Sequence, residues 1–381
     1  MALLSEVFIT FAAAATALGN LELGQTDDQL WKDLLNSQSG IQTVTRFDTS
    51  ELDFHEAACI NDLDPSDQSN RICKMLPRTF TGLPQLPPET LPIWAGIKGN
   101  TDYIEQRARG ITATDIYLPA HYRQWIKSEL GLSEDGFDIN AACASSTVAL
   151  ACAAQLISSG SKHSVLVCAA DIVSHFTFTG FASLKALTPQ KCRPFDAERD
   201  GLCLGDGAVT MLLTSAEMTR KLNLQPLARL SGWGIANDAN HITGPARDAR
   251  GLIQAIRSAL DESNLQPSAL QAFCAHGTGT PYNDAMELTA VESIFGKTRF
   301  PVFSVKGAIG HTLGPAGAIE AIIASKALQE KITPPTVGLN KPEERGTGRC
   351  LATSQTFSGD NILTTNSGFG GCNAALILES I

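Results

Sequence analysis

The amino-acid sequence predicts a layered α/β protein built from two similar halves. From Asp138 onward, buried strand patterns alternate with helical patterns, which is typical of parallel or mixed sheets covered by helices. Residues 1–215 and 216–381 have a similar content of such elements, which indicates a duplicated architecture with one half in each range. With 381 residues, 43% of them hydrophobic, the chain is long enough to form two cores.

The predicted elements follow one another regularly. The chain begins with a buried strand over 7–11, and the small residues after it would let a helix pack closely. The first half continues with a helix over 144–159, ended by Gly160, and with strands over 137–142, 164–170 and 207–214. In the second half, helices are predicted over 251–263, 283–295 and 314–329, and strands over 228–236, 272–276, 301–305, 361–367 and 374–379.

Composition excludes several classes of protein. The net charge of -10 gives no support to nucleic-acid binding. The ten cysteines form no CxxC pair, which argues against a zinc ribbon or a thioredoxin-like motif. The apolar start lacks basic residues and contains Glu6, and no run of about 18 apolar residues occurs, so neither a signal peptide nor a membrane span is expected. We therefore expect a cytoplasmic protein with reduced thiols.

A cysteine stands where a predicted strand gives way to a helix, in "NAACASS" (Asn140–Ser146). A nucleophile for acyl transfer must be exposed at a sharp turn, and the N–H groups of a helix start would lower the pKa of its thiol. The small neighbours would let a substrate approach Cys143. The alternative is a buried structural cysteine, which we assign to Cys152 and Cys168.

A second stretch with chemical potential is "AHGTGTPYNDAMEL" (Ala275–Leu288). His276 ends an apolar strand and enters an irregular loop, the place where open α/β sheets bind their ligands. A histidine that only caps a turn is the alternative. Asp284 and Glu287 follow at a helix start, where they would support the site or only cap the helix.

The third stretch, "SVKGAIGHTLGPAGAIEAI" (Ser304–Ile322), carries Lys306 and His311 in a glycine-rich loop between a strand and a helix. Apolar flanks indicate that Lys306 is buried, and a buried lysine needs a partner, for which Glu320 is the nearest acid in sequence. The fourth stretch, "NSGFGGCNAAL" (Asn366–Leu376), has glycines whose backbone N–H groups could face an anion. An ordinary tight turn is the alternative there.

In the order Cys143, His276, Lys306, His311 and glycine-rich loop, these stretches resemble the β-ketoacyl-acyl-carrier-protein synthases of the thiolase superfamily. The match spans about 138–381 and includes "ACASS" from Ala142 and "RPFDAERDGLCLGDGA" from Arg193, with a weaker match at the N-terminus. The resemblance implies a thiolase-like duplicated fold of five layers, α-β-α-β-α.

The resemblance also implies a role for each candidate residue. Cys143 would accept the acyl group, and His276 and His311 would stabilise the enolate that malonyl thioester forms on losing carbon dioxide. The backbone N–H groups of Cys143 and Phe369 would form the oxyanion hole, with Phe369 as gate, and Lys306 would pair with Glu320. No metal or organic cofactor is required. A degradative thiolase would show a second cysteine in place of His311.

The sequence departs from the family in two places. The late loop reads "TNSGFGG" (Thr365–Gly371) where the family usually has "NSFGFGG", so we expect an altered acyl gate. Before Cys143 we predict no good amphipathic helix, and the proline-rich Leu83–Pro92 lies in that region. The alternatives to an active condensing enzyme are therefore a non-catalytic, chain-length-determining companion subunit of a heterodimer and, less favoured, a cleaving thiolase.

The resemblance implies an acyl carrier protein as partner and a homodimer, or a heterodimer with a related ketosynthase subunit. Acyl carrier proteins are acidic, and so is this chain, so docking needs a local basic rim around the entrance to Cys143. Arg71, Lys74 and Arg199 are the candidates. The alternative is that they are ordinary solvated charges or, for Arg199, a buried partner of Asp196 or Asp200.

Overall fold

The computed structural model describes residues 5–25, 28–63, 70–110 and 118–381. The strands of this part are β1 Val7–Thr16, β2 Gly19–Glu22, β3 Gln42–Thr43, β4 Glu56–Ala57, β5 Leu91–Trp94, β6 Phe137–Asp138, β7 Ser164–Asp171, β8 Gly207–Ser215, β9 Ala228–Asn237, β10 Ala272–Cys274, β11 Val302–Phe303, β12 Ile332–Thr333, β13 Gln355–Thr356, β14 Asn361–Gly368 and β15 Cys372–Glu379.

The helices connect these strands and cover them. They are α1 Gln29–Leu35, α2 Arg71–Met75, α3 Thr101–Ala108, α4 Pro119–Glu129, α5 Ser145–Ser158, α6 His175–Ser183, α7 Ala216–Lys221, α8 Arg250–Ser263, α9 Pro281–Phe295, α10 Lys306–Ile309 and α11 Ala316–Glu330. No helix in the described ranges combines the length and the apolar character that a membrane crossing needs.

The strands of the two halves follow the same order. The first half runs β6-β5-β7-β8-β1 and the second runs β11-β10-β14-β15-β9. In each set the first three strands are parallel, and the last two are added antiparallel. This repeated order confirms the duplicated α/β fold predicted from the sequence. The division at residue 215 itself stays a prediction.

Helices separate and cover the two sets of strands. The strands join at one edge, where Phe8 and Ile9 of β1 pair with β9. Helices α5 and α11 pack against each other and against strands of both sets, so they form the central layer. Helix α8 covers β9 and β15 on one outer face, while α2 and α4 cover β5, β7 and β8 on the other. The layers are therefore α-β-α-β-α.

Small side chains let the two central helices approach closely. Helix α5 is rich in alanine and serine and is buried on nearly all sides, as is α11. Gly317 of α11 lies so near α5 that an added Cβ would stand 1.8 Å from Thr147 Oγ1. Because α5 begins two residues after Cys143, this contact brings the second half of the chain to the candidate nucleophile.

Three sequence expectations differ from the structure. The alanines after Phe11 continue strand β1, because they pair with β8 and leave room for the central helices. The strand expected over 137–142 ends at Asp138, because the chain turns sharply before Cys143. An amphipathic helix does precede the nucleophile: α4 buries Tyr122 and Ile126 against the first half of the sheet.

Candidate active site

Cys143 lies in a turn between β6 and α5 that backbone geometry makes sharp. Ala142 has a φ of +49°, in the left-handed region that non-glycine residues seldom adopt. The end of β14 lies against this turn, because a Cβ on Gly368 would stand 2.5 Å from the carbonyl oxygen of Ala141. The side chain is 6% exposed and lines a cavity. The predicted strand-to-helix corner is therefore present.

The thiol of Cys143 is not activated by its place at the helix start. Burial raises its pKa to about 11, and the charge of Lys306 offsets only part of this effect. The expected net lowering of this pKa is wrong, because the cost of burying a thiolate exceeds the effects that lower it. The thiol is therefore protonated at neutral pH.

His276 is buried and held through both its backbone and its ring. Its backbone N–H donates to Glu287 Oε1 at 2.7 Å. Its Nδ1 atom faces two donors, the Asn366 amide nitrogen at 2.9 Å and Lys306 Nζ at 3.3 Å. Nδ1 must therefore accept, which leaves the ring proton on Nε2. Burial and the nearby charge of Lys306 lower the pKa of His276 well below its usual value, so the ring is neutral.

Lys306 stands at the base of the site, where it is 1% exposed. Its ammonium group pairs with Glu320 and donates to the carbonyl oxygen of His276 at 2.6 Å. The predicted partner of Lys306 is thus in contact with it. Both charges are removed from water, and each satisfies hydrogen bonds of the other, as a buried pair requires.

His311 approaches His276 from the loop before α11. The two rings meet edge to face, with centroids 5.2 Å apart. The backbone N–H of Leu313 donates to His311 Nδ1 at 3.3 Å, which again places the ring proton on Nε2. Burial and the charge of Lys306 lower the pKa of His311 well below its usual value. Two neutral N–H donors therefore border the cavity that Cys143 lines.

Asp284 and Glu287 bind the loop before α9, and no side chain caps the start of that helix. Glu287 accepts from the backbone N–H groups of His276 and Gly277, each at 2.7 Å. Asp284 accepts from the N–H groups of Thr278 and Gly279 at 3.0 and 3.1 Å. The two carboxyl groups thus hold the loop that carries His276. Burial and the proximity of Asp284 raise the pKa of Glu287 to about 8.

Phe369 lies in the short loop between β14 and β15, opposite the turn of Cys143. Its ring stacks on Phe181 with centroids 5.9 Å apart and is 37% exposed. Within the described ranges, the backbone N–H groups of Cys143 and Phe369 donate to no other backbone group, so both remain available to an oxyanion.

These groups share one cavity of about 900 Å³. Cys143, His276 and His311 are buried residues of its lining, and the more exposed Phe369 also lines it. Apolar side chains of Phe181, Leu184 and Leu202 also line it, as do solvent-exposed residues within 238–250. The cavity therefore combines a thiol, N–H donors and room for an apolar chain.

The predicted basic rim is not where the sequence analysis placed it. Arg71 is buried and pairs with Asp102, because its helix α2 packs onto the sheet. Lys74 is half-buried on the same helix, and neither residue lines the cavity. The Arg199 side chain is 8% exposed and bonds Glu343 at 2.5 Å, so it is a buried partner, although of another acid than expected.

The sequence analysis did not single out Asn366, Thr147 or Phe181. Asn366 bonds His276 and Glu320, and Thr147 donates to the Asn366 carbonyl oxygen at 2.6 Å. Asn366 begins the glycine-rich stretch for which the sequence predicted a role of the backbone N–H groups only. Thr147 lies in α5, whose sequence pattern indicates only that the helix is buried. Its contact with Asn366 of β14 could therefore not be predicted from the sequence.

Comparison with known proteins identifies the family. Residues 124–218 match the N-terminal domain of β-ketoacyl synthases, and residues 227–340 match the C-terminal domain. A 3-oxoacyl-acyl-carrier-protein synthase 2 from Vibrio harveyi is 30% identical over 96% of this chain and 98% of its own length. The chain belongs to the β-ketoacyl synthase family.

Solved structures agree with this placement in the β-ketoacyl synthase family. The ishigamide ketosynthase/chain length factor is 25% identical, with a TM-score of 0.85, over 99% of this chain and all of that one. A β-ketoacyl synthase from Burkholderia phymatum has a TM-score of 0.86 over the same shares at 24% identity. The thiolase-like fold that the resemblance implied is therefore confirmed.

Proposed function

We propose that this β-ketoacyl synthase is an active condensing enzyme that joins an acyl thioester to malonyl groups, both carried by acyl carrier protein, in fatty-acid, polyketide or polyene synthesis. The observation that carries the proposal is the convergence of Cys143, two Nε2–H donors and two free backbone N–H groups on one cavity. A non-catalytic companion subunit has no use for this complete set.

The first half-reaction acylates Cys143. Its sulfur attacks the carbonyl carbon of the acyl thioester, and the N–H groups of Cys143 and Phe369 hold the oxyanion that forms. The bond to the carrier sulfur then breaks, and the carrier leaves as a thiol with the proton that Cys143 gave up.

The second half-reaction forms the carbon–carbon bond. Malonyl thioester loses carbon dioxide, and the Nε2–H groups of His276 and His311 donate to the thioester oxygen as the enolate forms. The enolate carbon attacks the acyl carbonyl, the bond to Cys143 breaks, and the thiolate takes one proton from solvent. The charge of Lys306 helps to keep both histidines neutral, and its ammonium group holds the carbonyl oxygen of His276.

One assay tests the proposal. The protein is mixed with acyl and malonyl carrier thioesters, and carbon dioxide and the 3-ketoacyl product are measured together. We expect one molecule of each per turnover with the native chain, and no 3-ketoacyl product with Cys143→Ala, which lacks the sulfur that accepts the acyl group. Carbon dioxide release by the native chain without any 3-ketoacyl product would show that the chain does not condense.

We propose that the acidic carrier docks at the cavity entrance, where exposed basic side chains replace the rim expected from the sequence. Arg247 lies over the ring of Tyr282 at 5.7 Å, and the Arg250 side chain is 56% exposed. Lys185 is an exposed basic residue that also lines the cavity. Asp248 lies 3.7 Å from Arg250 and neutralises part of this charge.

Charge reversal tests this docking site. Arg247→Glu with Arg250→Glu should raise KM for carrier-bound substrate, most clearly at low salt, because exposed charges are screened beyond about 8–10 Å at physiological ionic strength. A small soluble thioester should react as before. Lys221→Glu, at the exposed end of α7 and outside the cavity, is the control. Equal KM values for the native chain, the double variant and Lys221→Glu would place the docking surface elsewhere.

We also propose that the chain works as a dimer, with itself or with a related ketosynthase subunit. Strand β6 lies at the edge of the sheet in the first half and, among the described strands, pairs only with β5. No described strand pairs with its other edge, and Phe137 of this strand is 38% exposed. An open edge beside an exposed aromatic residue favours pairing with another chain.

A further inference from the structure

Asn366 is a fully buried polar residue that lies between Thr147 on one side and His276 and Glu320 on the other. It belongs to β14, and its side chain is 0% exposed. Its carbonyl oxygen accepts from Thr147 Oγ1 at 2.6 Å. Its amide nitrogen donates to Glu320 Oε2 at 2.8 Å and to His276 Nδ1 at 2.9 Å. Every hydrogen of the amide is therefore used.

The chemistry of these partners sets the orientation of the amide. The Glu320 carboxylate paired with Lys306 can only accept, so the amide nitrogen must face it. The hydroxyl of Thr147 donates to the oxygen on the other side. With the amide fixed in this way, a hydrogen points at His276 Nδ1, and that nitrogen cannot carry a proton.

We propose that Asn366 is a positioning residue for His276, which holds the ring proton on Nε2 and directs that N–H group into the cavity. The Asn366 amide lies nearer to Nδ1 than Lys306 Nζ does, at 2.9 Å against 3.3 Å. The kinetic consequence rests on the proposed condensation, whereas the tautomer is a property of the folded chain alone.

A neutral amide suits this task better than a carboxylate. A carboxylate beside Nδ1 would accept its proton and leave Nε2 as a bare base, as in hydrolases with an acid–histidine pair. An enolate oxygen needs a donor instead. Asn366 supplies a donor to Nδ1 without adding charge next to Glu320.

The same residue connects the histidine to the helix that follows the nucleophile. Thr147 belongs to the first turn of α5, four residues after Cys143. Through Thr147 and Asn366, the beginning of α5 is linked to His276 by two hydrogen bonds. Loss of either bond should let the ring turn relative to Cys143.

Nitrogen NMR on protein labelled with ¹⁵N-histidine tests the tautomer directly. The resonances of His276 are assigned by their loss in His276→Gln. We expect a protonated Nε2 and a bare Nδ1 in the native chain. A proton on Nδ1 would overturn the proposal, whether or not the protein condenses any substrate.

Kinetics test the consequence in the two half-reactions. Asn366→Ala should slow malonyl decarboxylation about 10–100-fold, less than removal of a direct oxyanion donor, which typically costs about 10²–10³. Acyl transfer to Cys143 should change little. Thr364→Val, at a fully buried position two residues earlier on the same face of β14, is the matched control and should leave both steps intact.

Thr147→Val keeps the test decisive if Asn366→Ala does not fold. It removes only the hydroxyl that holds the amide oxygen, and it should slow decarboxylation in the same direction by a smaller factor. Thermal melting shows that each variant is folded. Equal slowing of both half-reactions, or no difference from Thr364→Val, would overturn the positioning role.

Discussion

Replacement of His276 or His311 by alanine is expected to slow malonyl decarboxylation about 10²–10³-fold, because each change removes a donor to the developing enolate oxygen. Acyl transfer to Cys143 should be less affected, since the backbone N–H groups of Cys143 and Phe369 serve that step. The two rates are separated by following carbon dioxide release and acyl-protein formation in single-turnover experiments.

His163→Ala is the matched control for these variants. His163 is an exposed histidine that contacts Ser215 at the end of β8, outside the cavity. It should leave both half-reactions unchanged. If His276→Ala and His311→Ala slowed acyl transfer as much as decarboxylation, the assignment of the two histidines to the decarboxylation step would be contradicted.

Lys306→Met is expected to have the largest effect on stability. It removes one partner of a fully buried ion pair and leaves the Glu320 carboxylate without its charge partner, which typically costs about 3–5 kcal/mol. The free energy of unfolding, measured by denaturant titration, should fall by that amount. Decarboxylation should fall as well, since Lys306 also holds the carbonyl oxygen of His276.

Two comparisons separate this effect from a general loss of charge. Adding Glu320→Leu to Lys306→Met should restore part of the lost stability, because no buried charge is then left alone. Lys331→Ala breaks an exposed pair with Asp360 and should cost only about 0–1 kcal/mol. Equal losses for Lys306→Met and Lys331→Ala would contradict the buried pair.

The sequence was sufficient for the parts of the molecule that depend on local pattern. Continuous apolar runs predicted β7 and β8 within one residue of their ends, because strands buried on both faces leave that pattern. The turn of Cys143 and the loops of His276 and His311 were likewise found where a strand gives way to small residues and glycines.

The rest depended on contacts between distant segments. Nothing near Arg71 indicates that it will be buried and paired with Asp102, and nothing near Asn366 indicates that its amide will bond His276. The pKa of Cys143 was predicted in the wrong direction because the helix start is visible in the sequence, whereas the depth of burial is a property of the whole fold.

The most direct test of the account is the position of the acyl group after the protein meets an acyl carrier thioester. Intact-protein mass spectrometry followed by peptide mapping should find one acyl group, on Cys143, in the native chain and in Cys168→Ala, which changes a buried thiol of β7. Cys143→Ala should keep its fold and carry no acyl group. An acyl group on another cysteine, or none on the native chain, would contradict covalent catalysis at Cys143.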